Sequence, residues 1–203
     1  MRKAIKRIGI CLMAAVLVWS VMLVQDRTQL RRELIRLHVV AASDSREDQA
    51  LKLRVKDAVV ESLRRELENL KDMEGAKAYL QQNLPKIQTL AESVLQKYGC
   101  RDTVTVSLVT EEFEKRVYDT FSLPAGLYQS LRIRIGEAQG QNWWCVVFPS
   151  LCLPATSEGF EEAAACAGLD EDLIAALEEK DGYEIRFFLL DVLGRLENLL
   201  HRA

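Results

Sequence analysis

The chain has 203 residues, 49% of them hydrophobic and 28% charged, and its 10 glycines and 4 prolines exclude collagen-like and low-complexity classes. The net charge of −3 means that the sequence carries no overall basic footprint for nucleic acid. Only two histidines occur, His38 and His201, which excludes a histidine-rich metal site and leaves little material for a conventional catalytic triad. From the charge we expect no nucleic-acid partner, and we also expect no metal, no cofactor and no small-molecule substrate.

The chain begins with a basic stretch followed by an apolar one. Four basic residues within the first seven positions precede an uncharged run, Ile8–Val24. As a helix this run covers about 25 Å, slightly less than the ~30 Å hydrocarbon core of a bilayer. By the positive-inside rule the basic end stays in the cytoplasm and the rest of the chain is exported. We predict that residues 1–26 form a signal peptide or, because no clean cleavage site follows, an uncleaved signal anchor that meets the membrane through residues 8–24. Residues 27–203 are predicted to form a single extracytoplasmic domain.

The first half of this domain changes from a period of two to helical periodicity. Leu37, Val39 and Ala41 alternate with more polar neighbours, which is typical of a strand. Later apolar residues recur at steps of three and four, which predicts amphipathic helices. The predicted elements are a strand over 34–41 and helices over 45–70, 73–82 and 85–98, the last one ended by Gly99.

The second half is dominated by short alternating or apolar runs that favour strands. The predicted elements are strands over 103–108, 130–135, 143–148 and 185–189, a turn over 123–126, helices over 160–167 and 170–179, and a terminal helix capped by Asp191. The whole pattern predicts an α+β fold: the N-terminal membrane or signal helix, then a mostly antiparallel sheet with helices packed on one side.

Five cysteines allow two interpretations. Cys11 lies in the apolar segment, and the four in the exported body can pair in an oxidising compartment. Cys145 and Cys152 are seven positions apart, with Pro149 between them, so a disulfide is geometrically possible. Buried free thiols are the alternative. A zinc site is poorly supported, because no C-x-x-C pair exists.

An enzymatic alternative follows from Cys145. As a nucleophile it requires a base, and His38 is the histidine inside the folded body, with Asp44 available to orient it. This combination predicts an extracytoplasmic cysteine hydrolase or transpeptidase acting on cell-wall material. It requires the Cys145 sulfur and a His38 ring nitrogen to lie within hydrogen-bond reach.

The adjacent tryptophans Trp143 and Trp144 are the most unusual feature. On a strand the two rings point to opposite faces of the sheet. One of them can fill the core. The other is covered by a helix or left exposed, and an exposed tryptophan favours a protein partner.

Three segments carry a resemblance to a known family: Ile35–Leu53 (IRLHVVAASDSREDQALKL), Phe121–Tyr128 (FSLPAGLY) and Leu131–Cys152 (LRIRIGEAQGQNWWCVVFPSLC). In these stretches the chain resembles stage II sporulation protein R of endospore-forming bacteria. The family pattern has Asn where this chain has Ala42 and Pro where it has Ser150.

The resemblance implies a signalling role. Such proteins are made in the forespore and exported to the space between the two septal membranes. There they trigger a membrane-bound aspartic protease of the stage II sporulation GA type, which processes the precursor of the first mother-cell sigma factor. The resemblance therefore implies a non-enzymatic protein, either membrane-anchored or secreted. The candidate residues for contact with the protease are Asn142, Trp143, Trp144, Cys145 and Tyr128.

Overall fold

The structure, a computed structural model, describes residues 2–67, 69–70, 72–118, 121–149, 171–178 and 185–202. Its helices are α1 (Arg2–Glu33), α2 (Arg46–Leu67), α3 (Met73–Lys97), α4 (Glu171–Glu178) and α5 (Ile185–Arg202). Its strands are β1 (Ile35–Val40), β2 (Val104–Phe113), β3 (Arg116–Val117), β4 (Ser122–Leu123), β5 (Gly126–Ile135) and β6 (Asn142–Phe148). The helix predicted over 160–167 lies outside the described residues.

Four strands form one sheet in the order β2-β5-β1-β6, and β3 and β4 form a separate hairpin. The β2–β5 and β1–β6 pairs are antiparallel, whereas β1 and β5 run parallel. The predicted fold class, α+β with a mostly antiparallel sheet, is confirmed.

The first face of the sheet packs against α2 and α3. Leu37, Leu131 and Cys145 lie on this face, and they contact buried residues of the two helices such as Val59 and Leu95. The alternation in β1 puts its apolar side chains on one face of the sheet, and the three- and four-residue steps put those of α2 and α3 on one side of each helix. These apolar faces pack together and form this core.

The second face is also covered, which adds a helical layer to the predicted one-sided arrangement. Phe113, Tyr128 and Val146 lie there, under Leu30 of α1 and Leu190 of α5. Residues of α4 belong to the same core. This second layer explains why β1 is buried on both faces, including the charged Arg36, which has no exposed surface.

The helix α1 is continuous from the basic start, through the apolar run, into this second core. Its Leu23 and Leu30 are buried, whereas residues earlier in the apolar run, such as Leu17, are exposed. Within the described residues, one helix is long and apolar enough to cross a membrane, and it is Arg7–Leu30 of α1.

The prediction of two helices separated at Pro85 is wrong, because α3 continues through that proline. Proline removes one helical hydrogen bond, which would use the carbonyl of Gln81. Both residues lie on the exposed side of α3, where water can bind the released carbonyl. The apolar stripe from Leu80 to Ile87 therefore continues without interruption. The end of this helix is as predicted: Gly99 has φ of 77°, and its N–H binds Gln96 O.

The strand predicted over 185–189 is also wrong, since these residues begin α5. Their short alternation is equally compatible with the start of an amphipathic helix. Asp191 consequently lies inside α5 and does not cap it. Its Oδ1 accepts a hydrogen bond from the Ala125 N–H at 3.0 Å, which joins α5 to the sheet.

Candidate functional site

The candidate site lies at the start of β6, an edge strand of the four-stranded sheet within the part of the chain that the structure describes. Asn142 and Trp143 are exposed there, and Trp144 is half-buried. We call these three residues, with the side chains that contact them, the tryptophan edge. The prediction that the two rings face opposite sides of the sheet is confirmed by the contacts of each ring.

Trp143 lies on the first face, beside α2. The Lys56 ammonium of that helix lies 4.7 Å from the centre of the indole ring, within the range of a cation–π contact. The side chain nevertheless keeps 36% of its surface exposed. Trp143 is therefore an accessible aromatic surface beside a lysine that also pairs with Asp57.

Trp144 lies on the second face and is enclosed by more neighbours. The Arg116 guanidinium of β3 lies 3.7 Å from the centre of its ring, and the His38 ring lies 5.5 Å away, centre to centre. The Phe113 ring lies at 6.5 Å in an edge-to-face arrangement. These contacts give Trp144 a structural role as well as a partly exposed face.

His38 of the interior strand β1 connects the tryptophan edge to β2, the opposite edge strand of the sheet. Its Nδ1 lies 3.1 Å from the carboxylate of Glu111, and its Nε2 lies 3.0 Å from Asn142 Oδ1. Burial by itself raises the pKa of Glu111, but the His38 hydrogen bond and the charges of His38 and Arg132 outweigh it, so the pKa is lowered overall. The carboxylate thus stays ionised and holds the imidazole in place.

The loop between β5 and β6 is fixed by the segment that follows β1. Asp44 Oδ1 accepts the backbone N–H of Gln141 at 2.7 Å, and Lys52 Nζ donates to the Gln141 carbonyl at 2.9 Å. Gly140 lies so close to Ser43 that an added Cβ would overlap the Ser43 carbonyl. Two of the sequence segments that carry the family resemblance therefore meet here in space and set the position of the tryptophans.

The predicted pairing of Cys145 with His38 is not formed. Cys145 is paired with Leu37 and lies in the first core, whereas His38 is paired with Trp144 and lies on the second face. Cys145 is also disulfide-bonded, which removes the thiolate that a nucleophile needs. Because Cys152 lies outside the described residues, its pairing with Cys145 stays a prediction.

Tyr128 is separated from the exposed residues. It is buried in the second core, where its hydroxyl donates to the Pro124 carbonyl at 2.9 Å and its ring packs edge-to-face on Phe113. The Arg36 guanidinium lies 3.9 Å from the centre of the Phe113 ring and donates to Tyr118 at 2.9 Å. Tyr128 therefore supports the site from inside and has almost no surface to offer to a partner.

Sequence reasoning missed Lys56 and Arg116, which contact the tryptophans, and Glu111, which holds His38 beneath them. None lies in a recognisable motif, and each reaches the site only because of the order and register of the strands and the position of α2. Within the described residues, no group of three His, Cys, Asp or Glu side chains could hold a metal ion. The accessible side chains of the tryptophan edge are aromatic and cationic, which suits binding of another protein.

Comparison with known proteins agrees with the resemblance of the three segments. The sequence profile of the family described as Stage II sporulation protein R matches residues 31–158. Stage II sporulation protein R of Bacillus subtilis (strain 168) is 30% identical over 182 residues, covering 81% of this chain and 81% of that protein. No solved structure matches the chain. The chain therefore belongs to the stage II sporulation protein R family and has a sporulation-related role.

Proposed function

We propose that the protein is an exported sporulation signal that activates a septal membrane-bound aspartic protease by direct contact. The activated protease then processes the precursor of the first mother-cell sigma factor. Family membership supports the sporulation role. The tryptophan edge supports the contact, because it combines exposed aromatic surface with the cationic side chains of Lys56 and Arg116.

The observation that carries the proposal is the exposed Trp143, 36% accessible beside Lys56 on a rigid edge strand. Tryptophan and arginine are over-represented among residues that dominate protein–protein binding energies. The rigid support from Asp44 and Lys52 lowers the ordering cost of binding, since the loop at the entry to β6 is already held.

The proposed location is the space between the two septal membranes, with α1 as the anchor. The unbroken course of α1 from the apolar run into the second core favours an uncleaved anchor, because Leu23 and Leu30 are part of that core. Cleavage after Leu23 would remove a core residue. The basic residues at the chain start remain cytoplasmic, so the domain is exported.

The proposal does not need an enzymatic activity of the protein itself. The alternative of a cysteine hydrolase acting on cell-wall material loses its support, because Cys145 and His38 lie on opposite faces of the sheet. His38 is engaged by Glu111 and Asn142, which gives it a structural explanation.

The experiment is reconstitution of the protease, its sigma precursor and this protein in a host that does not sporulate. Precursor processing should require all three components and should be lost when residues 2–24 are deleted, because the domain then stays in the cytoplasm. A reporter that is active only outside the cytoplasm, fused after Ala203, verifies export in the same cells. Processing by a cytoplasmic domain, or none with the exported full-length protein, contradicts the proposal.

A further inference from the structure

The helix α5 lies beside the apolar part of α1. An apolar groove of about 410 Å³ separates the two helices along part of their length. The residues that line it are Val16, Trp19, Ser20, Leu23, Val24, Leu189, Val192 and Leu193. All the α1 residues in this set belong to the uncharged run Ile8–Val24.

The position of α5 relative to the sheet is fixed by specific contacts. Asp191 accepts the Ala125 N–H at 3.0 Å, and Asn198 Nδ2 donates to the Phe113 carbonyl at 3.0 Å. Gly194 lies against the Ala125 backbone so closely that an added Cβ would overlap its carbonyl. These contacts fix α5 to the sheet at Asp191, Gly194 and Asn198.

The depth of the first turns of α5 in the membrane follows from the helical rise per residue of α1. If Ile8 marks the cytoplasmic side of the membrane, Val16 lies about 12 Å and Val24 about 24 Å further along the helix axis. In a hydrocarbon core of ~30 Å the midplane lies at about 15 Å, so Val16 lies near the midplane and Val24 lies in the outer half. Leu189 and Leu193 line the same groove and therefore lie at the same depth.

The two ends of α5 have different surroundings. Phe188, near the start, is 59% exposed and precedes Leu189, which lines the groove beside the apolar run of α1. Leu200, near the end, is 78% exposed, but the neighbouring His201 contacts Glu112 of β2 at 3.1 Å. The start of α5 thus extends towards the membrane side of the domain and its end lies at the sheet.

We propose that the first turns of α5, from Phe188 to Leu193, insert beside α1 into the outer leaflet and that Phe188 contacts lipid acyl chains. The continuity of this surface with the apolar run of α1 identifies lipid as the occupant. The inference rests on the proposed anchoring through α1. Two linked helices at the membrane hold the domain in one orientation, which sets the height of the tryptophan edge above the bilayer.

The test is quenching of tryptophan fluorescence by lipids brominated midway along their acyl chains. The full-length protein is reconstituted in phosphatidylglycerol vesicles, and a Trp19→Phe parent leaves only Trp143 and Trp144 in the domain. Phe188→Trp and, as matched control, Leu200→Trp are then added to this parent. Both positions are exposed and on the same helix, so neither substitution disturbs the core, and circular dichroism verifies the fold.

Brominated lipid should remove most of the emission that Phe188→Trp adds and leave that of Leu200→Trp unchanged. The difference in emission between the unsubstituted protein and the Trp19→Phe parent gives the quenching of Trp19 by itself. If Trp19 is quenched and Phe188→Trp is not, the inference about α5 is wrong although α1 is in the membrane. If a second copy of the chain covers α5, the Phe188→Trp emission is not quenched and the protein is a dimer. That result also overturns the inference. If Trp19 is not quenched, both the anchoring and the inference fail.

Discussion

Alanine substitution of the two tryptophans should separate signalling from stability. Trp143 lies at the surface with its ring beside the Lys56 ammonium, so Trp143→Ala loses a cation–π contact of about 0.5–1 kcal/mol together with the packing of the covered part of the ring. If Trp143 contacts the protease, its removal costs about 2 kcal/mol or more of binding, on the order of thirtyfold in affinity. We expect a folded protein at a normal level that fails to trigger precursor processing.

Trp144→Ala should instead destabilise the domain. Its ring packs between Arg116, His38 and Phe113, and full burial of such a ring is worth about 3–5 kcal/mol. Because Trp144 is only half-buried, we expect a loss of about 2–3 kcal/mol, a decrease of roughly 4–12 °C in the melting temperature of a domain of this size. Thermal unfolding of the purified full-length protein measures this decrease, and immunoblotting measures the level in the reconstituted cells.

Tyr98→Ala is the matched control for Trp143→Ala. Tyr98 is also an exposed aromatic residue, 47% accessible, and the Arg54 guanidinium lies 4.1 Å from its ring centre. It lies at the end of α3, is not among the residues of the tryptophan edge, and should leave processing unchanged. The reasoning is refuted if Trp143→Ala signals normally at a normal level, or if it lowers the melting temperature as much as Trp144→Ala. Equal loss of processing in Tyr98→Ala would show that the assay does not report a local contact.

Three further substitutions test the support of the site. Because the folded pKa of Glu111 is lowered, its ionisation stabilises the protein fully above the unfolded value near 4.5 and progressively less as the pH falls through the folded value. Glu111→Gln should therefore cost about 1.5–3 kcal/mol at pH 7 in denaturant unfolding, and a gap that does not shrink on acidification contradicts this. Gly140→Ala forces the loop away from Ser43 and should cost about 1–3 kcal/mol with reduced processing, whereas unchanged thermal unfolding would mean that the loop is free to shift. Cys145→Ser removes a disulfide and should cost about 2–4 kcal/mol, but the folded fraction should still activate the protease. A folded, inactive Cys145→Ser protein, with Cys152→Ser active, would instead restore the hydrolase hypothesis.

Local patterns were sufficient for most elements of the fold. The alternation in β1, the three- and four-residue steps in α2 and the apolar run in α1 are properties of neighbouring residues, so the sequence alone predicts them. The opposite orientation of Trp143 and Trp144 also follows from the period of a strand. The family segments identified the same region as the site.

The exceptions arose where tertiary packing overrides local preference. Pro85 normally ends a helix, but its position on the exposed side of α3 allows the helix to continue. The start of α5 has a strand-like alternation, yet the contacts of Asp191 and Asn198 with the sheet stabilise it as a helix. A sequence pattern does not show that Pro85 is exposed, nor which residues of the sheet Asp191 and Asn198 contact.

The site itself shows the same division. The sequence alone determined that an aromatic pair lies on a strand and that a basic, apolar segment begins the chain. Only the tertiary structure decided which tryptophan is accessible, because that depends on Lys56 of α2 and Arg116 of β3. It also separated Cys145 from His38, since strand register assigned them to opposite faces. Contacts between residues far apart in sequence depend on the order and register of strands, which local periodicity does not encode.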